Sequence, residues 1–249
     1  MNAKRLVASI FALTFATIAL AEEAPKPKFG PEAVPIFQEN SYLREAPAPD
    51  YWNLSPFYIP QRTSSDCSLA AIVMVLNALR GLPANADQEL VTENTLMSGV
   101  GDQEWMIKVT EDGPGVTFDD TQKYLREALD HFELTGATLK TVSTRTADTT
   151  TLEGLRQTLA ENETSAGNVM LVYFNQGVIT GDWDGPHISA IGAYDAAKDR
   201  VLIMDVDRNW YIPYWTSTET LLAALVKPIA AEHGVLAGGT GGYFLASKP

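Results

Sequence analysis

Residues 66–81 read Asp66-Cys67-Ser68-Leu69-Ala70-Ala71-Ile72-Val73-Met74-Val75-Leu76-Asn77-Ala78-Leu79-Arg80-Gly81. Leu69, Ile72, Val73, Leu76 and Leu79 recur at helical spacing, and Ala and Met fill most of what lies between. The pattern predicts a helix over 66–80, with Asp66 or Ser65 as its N-cap and Gly81 followed by Pro83 as its stop. A helix apolar almost all round belongs in the interior of a fold. Cys67, the only cysteine of the chain, stands at its first turn. A thiol there faces unpaired backbone N–H groups and the positive end of the helix dipole, both of which favour the reactive thiolate.

Around this helix the chain divides in two. Ahead of it, residues 22–50 hold six of the fourteen prolines and few aliphatic side chains. That composition implies an extended tether or a strap lying on the domain. The globular pattern runs from Tyr51 to the end. Residues 85–116 mix helix signals with glycine-rich turns. Thr117 and Asp120 form a capping-box pattern for a helix to about Phe132. A strand at 138–143 and a helix at 151–162 follow. The second half is strand-rich. Val169–Phe174, His187–Tyr194 and Val201–Val206 are β-branched or aromatic runs bounded by turn residues. A hairpin-length connection, Asp195 to Asp199, joins the last two. A short helix near 217–226 and a strand at 242–247 complete the order. Helices first and an antiparallel sheet second is the order of an α+β, two-layer fold.

The first 21 residues read as a secretory leader. Lys4 and Arg5 precede an apolar run from Leu6 to Leu20, and Ala19-Leu20-Ala21 gives a small-x-small cleavage pattern. Cleavage leaves 228 of the 249 residues and takes the formal charge from −13 to −15, because Lys4 and Arg5 are the leader's only charges. So acidic a chain lacks the basic footprint of a nucleic-acid binder and is repelled by anionic membranes. Export, to a periplasm or beyond, brings an oxidising compartment where structural cysteines pair. A lone cysteine is then inert and buried, an intermolecular bridge, or a free reactive thiol. Its place at a helix start favours the last.

A cysteine nucleophile needs an imidazole, a group to orient it, and an oxyanion donor. Of the three histidines, His131 ends an amphipathic helix and His233 lies between helix and loop, where a capping role suffices. His187 follows the turn Asp184-Gly185-Pro186 and opens an apolar strand. Asp205 ends the buried-looking strand Val201–Met204, where an isolated charge is costly unless paired. In a hairpin the two fall at the same end of the sheet. Gln61, in the loop before the helix, can offer its amide to an oxyanion beside the Cys67 N–H. Asp182-Trp183-Asp184 near His187 has no defined metal-ligand spacing and reads as a solvated loop. The sequence carries no zinc, P-loop, dinucleotide or serine-nucleophile motif.

Gln61 six positions before Cys67, the run Ala71–Leu79, the segment His187-Ile-Ser-Ala-Ile-Gly-Ala-Tyr194, and Asp199–Arg208 followed by Tyr211-Ile-Pro-Tyr-Trp215 resemble phytochelatin synthase. The resemblance extends loosely from about Ser55 to Lys248. It implies a papain-like fold, a Cys67–His187–Asp205 triad and Gln61 as oxyanion donor. It further implies cleavage of the Cys–Gly amide of glutathione, with the γ-glutamylcysteinyl group passed to water or to a second glutathione. No tightly bound cofactor is implied; heavy-metal ions enter as metal–glutathione thiolate substrate. The chain lacks the Cys-rich C-terminal region of plant-type members and is similar to the short bacterial form.

The chain departs from the family pattern in three places: Asp66 and Ser68 flank the nucleophile in place of Tyr and Gly, Gln176 stands where an arginine is common, and so does Gly241. Arg208 is either a carboxylate anchor for the substrate or a partner of Asp205 or Asp207. The departures leave two further readings, an amidase for a different small peptide on the same scaffold, or a catalytically silent module that binds thiol or metal-loaded ligands.

Overall fold

Ser68 to Leu79 of the central helix are all buried, as a run apolar on every side requires. Each Val, Leu, Ile or Met taken out of water there contributes about 1.5–3 kcal/mol. The computed structural model describes residues 26–248. In chain order the elements are β1 (Val34–Pro35), α1 (Ser41–Glu45), α2 (Pro49–Leu54), α3 (Cys67–Arg80), α4 (Glu93–Val100), α5 (Gln103–Lys108) and α6 (Phe118–His131). There follow β2 (Thr138–Ser143), α7 (Thr149–Asn162), β3 (Asn168–Asn175), α8 (Gln176–Thr180), β4 (Pro186–Asp195) and β5 (Arg200–Met204). The last are β6 (Tyr214–Ser217), α9 (Thr218–Val226) and β7 (Gly242–Ser247), with single 3-10 turns at Ser55–Phe57 and Ala231–Leu236.

The seven strands form one antiparallel sheet in the order β1-β6-β5-β4-β3-β7-β2. The fold is α+β: helices that carry the cysteine come first, and the sheet that carries His187 follows. The sheet is covered on both faces, one layer more than the order of elements suggests. Val169, Leu171 and Tyr173 of β3 pack with α3 and α6, while Met170, Val172 and Phe174 pack with α7 and α9. A strand apolar at every position needs cover on both sides.

Residues 26–50 lie along the domain. Gly30 N–H donates to Thr180 O at 2.7 Å, β1 extends the sheet edge beside β6, and Trp215 Nε1 donates to Glu39 O at 2.7 Å. The leader and residues 22–25 lie outside the described residues. Among the described residues no helix is long and apolar enough to cross a membrane.

Two local features set up the site. The Thr117–Asp120 capping box forms with both its bonds and starts α6. In the β4–β5 hairpin the register shifts between Ile191 and Ala193, so Gly192 is the extra residue of a bulge. Counting on from Ala190↔Met204, His187 faces position 207, and Asp205 stands two residues along on the same face. Without the bulge the parity would reverse and the two side chains would point to opposite faces.

Candidate active site

Cys67 is the first residue of α3, half-buried and unbridged. The loop ahead of it is held from several sides. Gln61 N–H donates to Val206 O at 2.8 Å, Thr63 Oγ1 to Val109 O at 2.7 Å, and Ser65 Oγ to Gly113 O at 2.7 Å. Asp66 occupies the N-cap position, but its carboxylate makes no cap bond to the helix. It turns back and accepts the N–H groups of Arg62 at 3.0 and 3.1 Å and of Thr63 at 3.1 Å. Burial raises its pKa and these bonds lower it, with a net rise. The residue beside the nucleophile thus folds the loop that carries Gln61.

His187 is buried, edge-on to Phe174, with Nε2 2.9 Å from Asp205 Oδ1. That leaves Nδ1 free for the Cys67 sulfur, whose nearness helps to hold the ring charged. Burial opposes charge on the ring, but Asp205's charge and hydrogen bond and the contact with Cys67 outweigh it. The His187 pKa therefore stands well above the ordinary value.

Asp205, the first residue past β5, has no solvent exposure, and four donors meet its carboxylate. His187 and the Asp207 N–H, at 2.9 Å each, reach Oδ1. Gln176 Nε2 at 2.7 Å and Tyr214 OH at 2.9 Å reach Oδ2. Burial alone would raise its pKa; the His187 charge and these bonds bring it below the ordinary carboxylate value. A fully partnered buried anion holds the imidazole in one orientation and one tautomer.

Gln61 lines the same cleft as Cys67 and His187, its Nε2 donating to Thr63 O at 3.1 Å and its Oε1 buried without a partner. The structure thus brings Cys67, His187, Asp205 and Gln61 together, and leaves Arg208 apart. Arg208 is exposed and stacks over the Tyr58 ring, 4.7 Å from its centroid. It lies outside the cleft lining and forms no ion pair with Asp205 or Asp207. His131 is exposed at the end of α6. His233, expected only as a cap, donates from Nε2 to Asp184 O at 2.7 Å, edge-on to Trp183. Asp182 accepts from Tyr211 OH at 2.7 Å, and Asp184 pairs with Lys227 at 2.7 Å.

Two spaces flank the sulfur. A cleft of about 510 Å³ on one side is bounded by Gln61, Thr63, Gln176, His187, Asp207 and Trp210. A recess of about 100 Å³ on the other is bounded by Ser65, Gly115, Tyr173, Ile188 and Leu236. Gln176, Tyr214 and Asp207 are the site residues that sequence reasoning did not assign. The only signal was Gln176's position at the end of β3, where the resemblance expects an arginine.

The family profile described as phytochelatin synthase matches residues 31–232. The chain belongs to the phytochelatin synthase family. Among relatives, it is 26% identical over 229 residues to glutathione gamma-glutamylcysteinyltransferase 3 of Lotus japonicus, covering 88% of this chain and 41% of that one. It is 24% identical over 198 residues to glutathione gamma-glutamylcysteinyltransferase 1 of Arabidopsis thaliana, covering 75% and 36%. The chain therefore spans about two-fifths of the length of these relatives. Among solved structures, Pseudomonas avirulence protein AvrPphB aligns at 14% identity with a TM-score of 0.33, covering 78% of this chain and 99% of that one.

Proposed function

We propose that this phytochelatin synthase-family chain is a cysteine-nucleophile acyl-transfer enzyme acting on glutathione or a glutathione-type thiol peptide. The observation that supports it most is the buried His187 imidazole, held through Nε2 by the fully partnered Asp205 and lining the same cleft as Cys67. Cys67 attacks the carbonyl of the Cys–Gly amide. The developing oxyanion takes hydrogen bonds from the Cys67 N–H and from the Gln61 amide once it swings off Thr63. His187 gives its proton to the departing glycine amine, leaving a γ-glutamylcysteinyl thioester on Cys67. Water or the amine of a second peptide then attacks the thioester, giving its proton to His187, and the cysteine is released. Heavy-metal ions belong here as the thiolate complex of the substrate peptide. The leader read from the sequence puts this chemistry outside the cytoplasm.

A second reading, an amidase for a different small peptide, is favoured by Gln176 and Gly241. Gln176 is committed to Asp205, and Gly241 packs on the backbone of Tyr173, so neither position offers a cation to a substrate carboxylate.

The deciding experiment incubates the protein and its Cys67→Ala variant with reduced glutathione, with and without cadmium, and follows glycine, γ-glutamylcysteine and longer oligomers by mass spectrometry. Cys67-dependent glycine release supports the first reading. A folded protein that releases none refutes it in favour of the second.

A further inference from the structure

We propose that the larger space beside Cys67 is a seat for an amine that carries a second positive charge, with Asp207 as its recognition residue. The inference deepens the acyl-transfer reading, because it names the class of the group released from, or accepted by, the acyl-enzyme.

The side of the cleft follows from the proton. His187 protonates the departing nitrogen and deprotonates the incoming one, so that nitrogen lies where His187 is exposed to substrate. His187 bounds the 510 Å³ cleft and not the small recess. The acyl group is left with the recess, and the amine with the cleft.

The charge on that side is negative. Glu111, Asp182 and Asp207 line it, against two cations, Arg62 and His187, the latter paired with Asp205. Arg62 is already spent, with Nε 2.6 Å from the buried Glu93 carboxylate and Nη1 on Asn94. Asp182 is paired with Lys28 at 3.6 Å. Asp207 is different. It is half-buried, lies among the charges of His187, Asp205, Lys28 and Asp66, and among the described residues its carboxylate has neither a hydrogen-bond donor nor an ion-pair partner. A glycine leaving group would set its free carboxylate against this wall. An amine with a second ammonium group would fill it.

The wall already holds one alkylammonium. Lys28 Nζ lies 4.3 Å from the centre of the Trp210 ring and 4.5 Å from that of Tyr211, beside Asp182. Trp210 is exposed to the extent of 64%, far more than packing demands of a tryptophan, which leaves ring surface for a further cation. Carboxylate and aromatic faces together are the chemistry that recognises a protonated amine.

In the transfer step the unprotonated end of a diamine attacks the thioester carbonyl. A C–N bond forms and the C–S bond breaks. The proton lost by the amine passes to His187 and returns to the sulfur, so the products are an amide and free Cys67. Meanwhile Asp207 holds the protonated end.

Calorimetric titration of the full chain carrying Cys67→Ala with 1,3-diaminopropane, n-propylamine and glycine, at physiological ionic strength, reads the seat without turnover. Diaminopropane is expected to bind about tenfold more tightly than propylamine, and glycine more weakly still. Asp207→Asn should abolish that preference and Trp210→Ala weaken it, while Glu153→Gln, an exposed carboxylate of α7 outside the cleft, should leave it intact. Equal loss in Glu153→Gln and Asp207→Asn would mean diffuse attraction to an acidic protein and would overturn the proposal. So would binding no tighter than that of propylamine. The same amines are then offered to the active chain turning over glutathione, and the ratio of amide product to hydrolysis product is measured. That ratio is insensitive to a general loss of turnover. If glutathione is cleaved but the diamine has no advantage, the seat is wrong and the donor right. If diaminopropane binds as expected but glutathione is not cleaved, the seat stands and the donor is wrong.

Discussion

Gln176 donates its side-chain amide to Asp205 Oδ2 at 2.7 Å, completing a set of four donors around a carboxylate that water does not reach. Leaving a buried anion one donor short costs about 1–3 kcal/mol. Gln176→Leu is therefore expected to lower kcat about tenfold, since roughly 1.4 kcal/mol corresponds to a factor of ten. KM should change much less, because Gln176 acts on the chemistry through Asp205 and His187. Steady-state kinetics separate the two: a raised KM at constant kcat would make Gln176 a substrate contact.

Three of the four site residues that sequence made legible, Cys67, His187 and Asp205, share a property that the further donors to Asp205 lack. Cys67 and His187 sit at element starts that local patterns mark, a helix after a polar loop and a strand after Asp-Gly-Pro. Asp205 follows an apolar strand, where a charge asks for an explanation. Gln176 and Tyr214 lie 29 and 9 residues from Asp205, and nothing local says that their donors meet one oxygen. Asp66 illustrates a second limit. A cap residue and a loop-folding residue look alike in sequence, and only the backbone path decides which N–H groups its carboxylate meets. Helix α4 was hidden for a related reason: its capping box pairs Thr92 with Thr95, without the Glu or Gln that makes such boxes recognisable. The short strands β1, at the sheet edge, and β6 beside it are too brief to leave a period.

Asp205→Asn tests the electrostatics of the pair. The Asp205 charge is the largest influence raising the His187 pKa against burial, so the ring's titration in the variant should move to lower pH in an NMR titration. The effect on stability has a definite sign. The raised histidine contributes fully below its unfolded pKa and loses that contribution as pH rises through its folded one. The depressed aspartate contributes above its unfolded pKa and loses it as pH falls through its folded one. The wild type's advantage over Asp205→Asn in urea unfolding should be greatest in the mildly acidic range between the two unfolded values. It should shrink on the alkaline side as His187 deprotonates. An unchanged ring titration would mean that Asp205 is not what charges His187.

Gly241→Arg, the substitution that would restore the residue usual in the family, should damage the fold instead of improving glutathione use. A Cβ on Gly241 would lie 1.8 Å from the Tyr173 carbonyl oxygen and 3.2 Å from that of Leu225. Both are backbone atoms that cannot yield without moving strand β3 or the end of α9. Even Gly241→Ala is expected to lower the unfolding midpoint by several degrees, a loss of at least 1–3 kcal/mol of the kind overpacking produces. A Gly241→Arg protein that melts with the wild type and cleaves glutathione faster would show that the β3–β7 pairing can open at this point.

Asp50 and Glu163 give the strap a dependence on pH. Both are carboxylates turned inward between the strap, α7 and β4. Asp50 accepts from Asn162 Nδ2 through one oxygen and has no partner at the other. Glu163 accepts Tyr194 N–H at 2.9 Å and Tyr42 OH at 3.0 Å. Burial, reinforced for Asp50 by the neighbouring Glu163, raises Asp50 to about 9, and burial raises Glu163 to about 7. The folded chain thus keeps two protons that the unfolded chain releases near its ordinary carboxylate values, so stability falls as pH rises out of the acid range. The fall from this pair is steepest up to about pH 7, halves between about 7 and 9, and ends above that. Asp50→Asn removes one of the two protons from the balance while keeping an acceptor for Asn162. Its urea-unfolding free energy should decline less steeply from pH 5 to 8, and at pH 8 it should exceed the wild type by about 1–3 kcal/mol. Parallel pH profiles for the two proteins would mean that Asp50 is ionised in the fold and that its unpartnered oxygen is reached by water.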